Sequence, residues 1–573
     1  MSNFFEDNAD IGFHLQTMDL ERVVDLKEHG FAEKDAFAYA PEDQEDALDN
    51  YRRVLQIVGE IAADFIAPRA HLVDQEGARF RDGCVQYAQG TRESLQRLAQ
   101  ADLMGFTLPR KYGGINMPKT IYSMAIEMVS RADASLMNLF GLQEIADTIS
   151  KFGTEEQKKK YLPRFCSGEA SGAMALTEPD AGSDLQAVRL KAVLEDDGQW
   201  YLDGVKRFIT NGCADISLVM ARSEPGSSGG RGLSLFIYER DETMKIRRIE
   251  DKLGIHGSPT CEIQFNHAPV ELLGRRKMGL IKYTMSLMNG ARLGVAAQAV
   301  GIAEASYRAA AKYASERTQF KQPIRRFAAV YEMLTEMKVE IEACRSLLYE
   351  TSRVVDIAEG LEERMEQDPA AKGQLRADVK KYTRYASLLT PMVKGRASES
   401  ANRVSYDALQ IHGGVGYTKD FDVERYTRDA RITNIYEGTT QLQVVAAIGG
   451  VMTGVVFDLL DDYENRYDFE AVAGLRAQAR ELRRRLEQGV EVVKEEHDHV
   501  FQELHAGRLV EMATDVVLAY LLCVDALQTA RKQKVARLFI QGADLRSLAG
   551  LELIRSRDRS LIEYHEAIID GAE

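Results

Sequence analysis

The stretch GQWYLDGVKRFITNG, residues 198–212, decides the fold. Its apolar and polar residues alternate and glycines bound it, which is typical of a half-buried β-strand rather than a helix. The same pattern recurs in three short runs that turn residues separate: ISLVMARSE (216–224), LSLFIYER (233–240) and CEIQFNHAPV (261–270). Strands this short and this closely spaced predict a small β domain, which we place at residues 173–285.

Helical periodicity is found on both sides of this β domain. Before it, apolar residues at a spacing of 3.6 predict an N-terminal helical domain at residues 46–172, preceded by an extension at residues 1–45. After it, long helices predict an antiparallel four-helix bundle at residues 286–450. Heptad-like stretches then predict an extra C-terminal helical domain at residues 451–573. The predicted fold is therefore α+β and mainly α, with the β domain between helical domains.

Composition and charge exclude several classes of protein. Hydrophobic residues make up 45% and charged residues 28% of the 573 residues, the balance of a soluble globular protein. The net charge of −15 repels phosphate backbones, so nucleic acid is not expected as a partner. Six scattered cysteines form no CxxC pair, so neither a metal site nor a disulfide framework is expected. The N-terminus lacks the features of a secretory signal, and no apolar run approaches the ~20 residues of a membrane span. We therefore expect a cytoplasmic protein.

Familiar nucleotide and hydrolase motifs are absent, and polar, glycine-rich clusters at the domain joints remain. The first is LTEPDAGSD at residues 176–184, whose hydroxyls and backbone amides can cradle a polar cofactor or form an ordinary turn. The second is FITNG at residues 208–212, where an aromatic ring can pack against a flat cofactor or belong to the core.

Three further clusters lie in the C-terminal half. In ERTQF (316–320), Arg317 can pair with a pyrophosphate or form a surface salt bridge. In QIHGGVGY (410–417), a Gly-Gly turn bares backbone amides, which is also the ordinary signal of a helix C-terminus. In RITNIYEGTTQ (431–441), Glu437 stands between an aromatic residue and a glycine, just before a helix. A carboxylate desolvated there suits general-base work, and the alternative is an acid that caps the helix.

In this order, six segments resemble motifs of the acyl-CoA dehydrogenase family. They are TEPDAGSD (177–184), FITNG (208–212), LGIHGSPT (253–260), ERTQF (316–320), QIHGGVGY (410–417) and IYEGTTQ (435–441). The resemblance covers roughly residues 50 to 450. It implies FAD as the cofactor and α,β-dehydrogenation of an acyl-CoA thioester to the trans-2-enoyl-CoA as the reaction.

The resemblance also implies which residues contact the flavin. Thr177 and Ser183 match positions that hydrogen-bond the flavin ring and its phosphate. Phe208 and Thr210 match the pair that stacks on and hydrogen-bonds the isoalloxazine. Further positions implied to bind the cofactor are Met174, Leu176, Gly182, Gly413, Thr439 and Gln441.

A second set of cofactor contacts is implied across a subunit interface. Arg317 and Phe320 resemble residues that contact the FAD diphosphate and adenine side of a neighbouring subunit. Gln410 and Gly414 resemble that subunit's nucleotide-binding turn. The helical tail resembles the C-terminal region of a longer branch of the family, which implies a homodimer, although tetramers also occur in the family.

For the substrate, the resemblance implies that Glu437 is the catalytic base and that its backbone N–H helps to hold the thioester carbonyl. Arg292 resembles a residue at the CoA end of the tunnel, where a cation can meet phosphates. Other positions implied to contact the substrate are Ser183, Tyr436 and Gly438.

The acyl group itself is less defined by the sequence. By rough motif alignment Phe140, Gln143 and Glu144 line the deep end of the tunnel, and such a wall favours a short or polar-ended acyl group. Some members of the longer branch act on 3-methylthiopropionyl-CoA and others on fatty acyl-CoA. Electron-transfer flavoprotein is the implied electron acceptor.

The alternatives within the same fold are an acyl-CoA oxidase, a nitroalkane oxidase and a relative like the alkylation-response flavoproteins. Glu437 argues against nitroalkane chemistry, where relatives use aspartate, and the net charge of −15 argues against DNA association. Three positions depart from the family pattern. Phe208 stands where many relatives carry tryptophan, and Lys321 where glycine usually follows ERxQF. Ala291 stands where some relatives carry the base, so Glu437 is the base that the pattern offers.

Overall fold

A computed structural model describes residues 2–368 and 370–571, and helices account for most of them. The helices before the large sheet are α1 (Ala9–Thr17), α2 (Glu21–Lys27), α3 (Gln44–Glu60), α4 (Ala67–Glu76), α5 (Gln89–Gln100), α6 (Lys119–Ala132), α7 (Ala134–Gly141), α8 (Ile145–Phe152) and α9 (Glu155–Cys166). The helices after it are α10 (Met285–Glu316), α11 (Ala328–Gln367), α12 (Lys372–His412), α13 (Val423–Thr433), α14 (Thr440–Met452), α15 (Val455–Arg466), α16 (Ala473–Glu495), α17 (His499–Gln528), α18 (Ala530–Arg555) and α19 (Ser560–Asp570). The long helices α10, α11, α12 and α14 lie where helical periodicity predicts them.

The strands are β1 (Arg79–Arg81), β2 (Cys84–Gln86), β3 (Gly172–Ala175), β4 (Lys191–Leu194), β5 (Trp200–Thr210), β6 (Ile216–Arg222), β7 (Leu233–Glu239), β8 (Met244–Ile249), β9 (Thr260–Leu273), β10 (Thr318–Gln319) and β11 (Gln322–Pro323). The large sheet has the order β3-β6-β4-β5-β9-β7, with β8 paired to β9. Strand β6 also pairs with β7 in antiparallel register, from Ile216↔Glu239 to Arg222↔Leu233. The strands β6, β4, β5, β9 and β7 therefore form a closed ring, as in a barrel. The predicted β domain is confirmed.

Alternation along these strands explains the core of the sheet. Trp200, Leu202, Phe236 and Phe265 are buried in one apolar cluster, while β9 alternates towards solvent at its far end. Other residues of the sheet, such as Leu218 of β6, face the opposite side and belong to a second apolar cluster. This cluster includes Phe165 of α9 and Tyr283. The sheet therefore has two apolar faces where β6 and β7 are buried along nearly their whole length, whereas alternation of apolar and polar residues predicts half-buried strands.

The chain forms two compact units. The first comprises Met1–Glu316 with Ala401–Glu437, and the second comprises Arg317–Ser400 with Gly438–Glu573. Helix α12 therefore begins in the second unit and ends in the first. The large sheet belongs to the first unit, and helices α14 to α19 belong to the second.

In the first unit, glycine allows two helices to approach closely. Helices α6 and α10 pack together, and a Cβ atom added to Gly301 of α10 would lie 2.4 Å from the carbonyl oxygen of Glu127 on α6. That separation is far inside van der Waals contact, so only glycine fits there without moving a backbone. The small residues of α10 therefore allow it to pack closely against α6.

The N-terminal residues are held to these two helices by two arginines, one on each helix. The Arg131 guanidinium donates two hydrogen bonds to the Asp7 carboxylate, at 2.6 and 2.7 Å. It also lies 3.6 Å from the ring centroid of Phe4. Arg308 of α10 donates to the carbonyl oxygen of Asp7 at 2.9 Å. The beginning of the chain is thus packed against α6 and α10.

In the second unit, a buried carboxylate joins helix α11 to the tail. Glu342 of α11 is fully buried, and Arg531 of α18 donates to it at 2.5 and 3.0 Å. Lys532, which is also buried, lies 3.0 Å from the same carboxylate. Charges removed from water in this way stay stable only when they are paired, so the tail helices are tied to α11 through this cluster.

All six cysteines lie in the described part of the chain and all are free thiols. Five are buried and Cys84, on β2, is exposed. Burial raises the pKa of Cys166, Cys344 and Cys523 to about 12, so these thiols stay protonated at neutral pH.

Two further findings concern membranes and metals. Within residues 2–368 and 370–571, no single helix is long and apolar enough to cross a membrane. The helices Thr440–Met452 and Val455–Arg466, with an angle of 67° between them, together have the length and composition of a membrane span. In the same ranges, no group of three or more histidine, cysteine, aspartate or glutamate side chains is placed to hold a metal ion.

The segment LGIHGSPT contains a histidine paired with a partly buried aspartate. His256 Nδ1 lies 2.9 Å from Asp74 Oδ1, and the hydrogen bond to Asp74 raises the pKa of His256 to about 8. A folded-state pKa above the ordinary 6.5 means that the pair stabilises the fold fully below pH 6.5 and loses this stabilisation as pH rises through 8.

We therefore expect the free energy of unfolding to fall by about 1–2 kcal/mol between pH 6.5 and pH 9 because His256 loses its proton. Denaturant unfolding of the wild type and of His256→Gln at both pH values tests this. The variant should lack that part of the pH dependence. An equal pH dependence in both proteins would contradict the assignment.

Candidate active site

The loop that carries Glu437 lies between helices α13 and α14 and has an unusual backbone. Glu437 has φ of 54° and Gly438 has φ of 90°, so two consecutive residues are left-handed. This conformation is costly for a residue with a side chain, and in this structure it is found at ordinary turns as well as in this loop. The cap of α14 is Thr439, whose side-chain oxygen accepts from the Leu442 N–H at 3.5 Å. Glu437 is therefore not the N-cap, and the interpretation of it as a capping acid is wrong.

Three side chains fix the carbonyl groups of this loop. Lys394 of α12 is fully buried and donates to the carbonyl oxygen of Gly438 at 2.6 Å. Gln443 of α14 donates to the same oxygen at 2.8 Å. Arg292 of α10 reaches the carbonyl oxygen of Glu437 at 3.5 Å, the long limit of a hydrogen bond. These contacts hold the left-handed pair in place.

Arg292 is the cation next to Glu437. It is 7% exposed, and its Nη1 donates to Asn289 at 3.2 Å. Burial lowers the pKa of Arg292, and attraction to the Glu437 carboxylate opposes this shift. The two charges are therefore close enough to interact, and the guanidinium stays protonated because its ordinary pKa is above 12.

Tyr436 is fixed by amide side chains from two helices. Its hydroxyl hydrogen-bonds with Gln298 Oε1 of α10 and lies 3.2 Å from Asn138 Oδ1 of α7. Gln298 donates to Asn138 Oδ1 at 3.0 Å, so the three groups form one network. Burial raises the pKa of Tyr436, and the Glu437 carboxylate raises it further. The phenol therefore remains neutral beside the candidate base.

The TEPDAGSD segment forms a tight turn at the edge of the sheet. Glu178 and Ala181 exchange backbone hydrogen bonds at 3.1 Å, and Gly182 and Ser183 are exposed beyond them. The carbonyl oxygen of Thr177 accepts from the Arg207 N–H at 3.0 Å. At the base of the turn, Leu176 is buried and Met174 half-buried.

Phe208 is presented by a β-bulge. The pairing of β5 with β9 shifts register between Lys206 and Ile209, and Phe208 there has φ of 60°. Its side chain is 52% exposed, with the Arg207 guanidinium 4.6 Å from the ring centroid. The interpretation of this aromatic residue as part of the core is therefore wrong. Thr210 follows at the end of β5, half-buried.

The ERTQF segment forms a two-residue β-hairpin in the second unit. Strands β10 and β11 pair, and the turn residues Phe320 and Lys321 have φ of 50° and 68°. Phe320 is 88% exposed at the tip, and Arg317 is exposed at the base. Arg317 makes no side-chain hydrogen bond or ion pair with the described residues, so the salt-bridge interpretation is not supported. At Lys321 the backbone adopts the conformation that glycine adopts freely.

The QIHGGVGY segment is a helix end followed by a 3₁₀ turn. Helix α12 ends at His412, which stacks on Tyr313 with ring centroids 4.4 Å apart. Gly413 has φ of 64°, and the turn continues to Tyr417. Gln410, Gly413 and Gly414 are exposed, as is Gln441 on α14. The glycines leave open space where side chains would stand.

The three residues predicted for the deep end of a tunnel differ in their surroundings. Phe140 is fully buried in a cluster of rings with Phe106 and Tyr122. Gln143 is buried and its Nε2 donates weakly to two carbonyl oxygens, each at 3.4 Å. Glu144 is half-buried, and a Cβ atom added to Gly290 of α10 would lie 3.5 Å from its carboxylate.

Sequence reasoning missed the groups that support the loop of Glu437, namely Lys394, Gln443, Gln298 and Asn138. Lys394 carries a signal that could have revealed it. It interrupts the apolar run LLTPMV on a helix whose neighbouring positions are buried, and a buried lysine needs an acceptor. The amide partners carry no such signal.

Family models match the chain in four consecutive segments. The N-terminal domain of acyl-CoA dehydrogenases matches residues 49–169, the middle domain residues 173–268 and the C-terminal domain residues 281–448. A further model, described as acyl-CoA dehydrogenase C terminal, matches residues 452–556. These segments include the strained Glu437 loop and the TEPDAGSD, FITNG, ERTQF and QIHGGVGY segments.

Individual relatives support the same class. The chain is 35% identical over 433 residues to the 3-methylmercaptopropionyl-CoA dehydrogenase of Ruegeria pomeroyi, with 70% of each chain covered. It is 36% identical to a chain of the structure described as "Electron transferring flavoprotein of Acidaminococcus fermentans: Towards a mechanism of flavin-based electron bifurcation", with TM-score 0.60 and coverage of 69% and 96%. The FAD complex of an acyl-CoA dehydrogenase from Bacillus anthracis shares the fold over 88% of both chains, with TM-score 0.75 and 24% identity. The chain belongs to the acyl-CoA dehydrogenase family.

Proposed function

We propose that this chain catalyses the FAD-dependent α,β-dehydrogenation of an acyl-CoA thioester to the trans-2-enoyl-CoA, with Glu437 as the base. The observation that supports this most directly is the left-handed Glu437–Gly438 pair, held by Arg292, Lys394 and Gln443. A strained backbone that three side chains hold in place at a carboxylate favours a functional role for that residue.

In this proposal Glu437 accepts the proton from the α-carbon of the thioester. The Glu437 N–H donates to the thioester carbonyl oxygen, and this stabilises the negative charge that develops there as the proton leaves. Neutral Tyr436 adds no charge to this position, while Arg292 supplies a cation beside the loop. Bound FAD, held by the Thr177–Ser183 turn and Phe208, would supply the acceptor for the hydride of the β-carbon.

The residues implied to hold FAD are suited to such a group. A planar isoalloxazine can stack on the exposed ring of Phe208, with Thr210 beside it. The turn of half-buried Thr177 and exposed Ser183 offers hydroxyls and backbone N–H groups to the flavin and its phosphate. Arg317 and Phe320 on one hairpin are free to meet the diphosphate and adenine side of a second subunit's cofactor, with the turn of Gln410 and Gly414 as the complementary site.

Further parts of the proposal concern partners. Electron-transfer flavoprotein is the proposed electron acceptor. The 36% identity to a chain of the structure described as the electron transferring flavoprotein of Acidaminococcus fermentans supports this. A homodimer is the proposed assembly because the FAD contacts require two copies. The composition supports a cytoplasmic location, and the acyl group is proposed to be short or polar-ended, with Phe140 and Glu144 at the tunnel wall.

The deciding experiment is an anaerobic visible-absorption titration of the purified protein with acyl-CoAs of graded length and polarity. We expect the oxidised-flavin band to bleach with at least one short or polar-ended ligand. Peroxide formed in air during turnover would favour an acyl-CoA oxidase instead. A protein that neither retains FAD nor binds it on reconstitution would overturn the proposal.

The hairpin contact predicts an effect on cofactor retention. Arg317→Ala should raise the dissociation constant for FAD by about 10- to 100-fold, because a paired phosphate charge loses a charge-assisted hydrogen bond of about 1.5–3 kcal/mol. The measurement is the flavin content after dialysis, followed by titration with FAD. Arg326→Ala, at an exposed arginine just beyond the same hairpin, is the control and should retain FAD normally. Equal retention in both variants would contradict the role of Arg317.

A further inference from the structure

A lysine is buried at the root of the bulge that exposes Phe208. Lys206, on β5, is 0% exposed, although its ammonium group carries a charge. The ammonium donates to the carbonyl oxygen of Leu176 at 2.7 Å and to Glu178 Oε1 at 2.9 Å. Both acceptors belong to the segment LTEPDAGSD (176–184), so Lys206 links the two segments that are proposed to contact the flavin.

Glu178 extends this link to a third segment. Its two carboxylate oxygens also accept from the backbone N–H groups of Arg189 at 2.7 Å and Leu190 at 2.9 Å, just before β4. The carboxylate is nearly buried, with 9% of its side chain exposed. One ion pair therefore joins the turn, the bulged strand β5 and the approach to β4.

A buried ion pair of this kind is not explained by stability alone. Desolvation of two charges often costs as much as their attraction returns, and an apolar pair of the same volume can be as stable. Burial lowers the pKa of Lys206 to about 8, and attraction to Glu178 opposes that shift. Burying the pair therefore costs desolvation free energy. In return, its directional hydrogen bonds fix the position of the turn relative to β5, which apolar packing would define less precisely.

The bulge is anchored on its other side as well. Asn211 is buried, and its side chain donates to the carbonyl oxygen of Gly172 at 2.9 Å. Its backbone N–H donates to the carbonyl oxygen of Pro259 at 2.7 Å. Between Lys206 and Asn211, the Arg207 N–H donates to Thr177. The exposed ring of Phe208 therefore stands between two buried anchors.

We propose that the buried Glu178–Lys206 ion pair is a positioning pair that fixes the spacing between the Thr177–Ser183 turn and the Phe208 bulge. In this role it sets the affinity for FAD and the reduction potential of the bound flavin. The inference rests on the proposed function, because the turn and the bulge are the proposed flavin contacts. Lys206 and Glu178 act through these segments and are positioning residues rather than catalytic ones.

The test compares Lys206→Met with a matched buried pair elsewhere in the same unit. Arg110 and Glu28 each have 2% of the side chain exposed and are joined at 2.7 and 3.0 Å, and Arg110 also donates to Glu33 at 3.1 Å rather than to any proposed flavin contact. Glu28→Gln is therefore the control for a general loss of stability. For each variant we would measure the thermal midpoint of the apoprotein, the dissociation constant for FAD and the reduction potential of the bound flavin.

We expect Lys206→Met to raise the dissociation constant for FAD at least tenfold and to shift the flavin potential. Glu28→Gln should lower the thermal midpoint with affinity and potential unchanged. Glu178→Gln keeps the shape of the side chain and one acceptor oxygen, so it should fold even if Lys206→Met does not, with a smaller loss of affinity. If Lys206→Met does not fold, Glu178→Gln decides the test.

Two results would overturn the inference in distinguishable ways. If the wild type binds FAD and reduces with acyl-CoA, but the variants at residues 178 and 206 affect affinity and potential no more than Glu28→Gln does, the ion pair is only structural. If the wild type itself does not bind FAD, the proposed function fails and this inference fails with it.

Discussion

Replacing Glu437 by glutamine is expected to lower turnover by about 10⁴-fold while ligand binding is retained. General-base catalysis contributes about 10²–10⁴-fold to a rate, and no neighbouring carboxylate of the loop can replace this base. The amide keeps the volume of the carboxylate, and the carbonyl contacts of Arg292 and Lys394 are to the backbone, so the left-handed loop should survive. Single-turnover reduction of the flavin by acyl-CoA measures the loss, and ligand-induced changes in the flavin spectrum measure binding.

Two further variants sharpen this experiment. Glu437→Asp keeps the charge but withdraws it by one methylene, so we expect an intermediate rate, because positioning as well as basicity is required. Glu242→Gln, at an exposed turn between β7 and β8, is the matched control and should be fully active. Full turnover in Glu437→Gln would show that another group takes the proton.

The second large effect is expected at the buried carboxylate of helix α11. Glu342→Gln should destabilise the second unit by about 3–5 kcal/mol, because it leaves the buried Lys532 without its closest anion. Asp525, at 3.8 Å, is a more distant partner for that ammonium. Since a chain with two compact units need not unfold in one step, hydrogen exchange of α11 and α18 is the appropriate measurement together with the thermal midpoint.

The control for this effect is a surface pair in the same unit. Glu481 and Arg484 lie 2.6 Å apart with 37% and 54% of their side chains exposed. Glu481→Gln should leave exchange and the thermal midpoint nearly unchanged, because exposed ion pairs contribute little. Faster exchange throughout the chain in Glu342→Gln, rather than in α11 and α18, would contradict a local role.

Much of the fold follows from the sequence because its two periodicities are clear. Alternation along residues 198–212 and 261–270 predicts β5 and β9, and the 3.6-residue period predicts the long helices α10 and α11. The bulge at Phe208 does not follow, because it arises from the pairing of β5 with β9 and leaves no mark on either strand alone. The sequence therefore predicts the strand but not the exposure of its aromatic residue.

In the candidate site, too, local features follow from the sequence and contacts between distant segments do not. Motif order predicts Glu437 as the base and the turns proposed to hold FAD, because their residue types are local and unusual. The supports of the site join positions far apart in the chain, such as Lys394 with Gly438 and Gln298 with Tyr436. Each partner of such a pair looks ordinary in its own segment, so only the three-dimensional structure reveals them.

The distribution of the thiols makes the protein convenient for spectroscopy. A maleimide dye at neutral pH should react with Cys84, since the other five cysteines are shielded from solvent. Cys84 lies three residues before Tyr87, whose hydroxyl hydrogen-bonds to Asn211 at the end of the FITNG segment. A fluorophore attached to Cys84 would lie near the FITNG segment that is proposed to contact the flavin, but not on it. Its emission could report the binding of flavin to the apoprotein in real time.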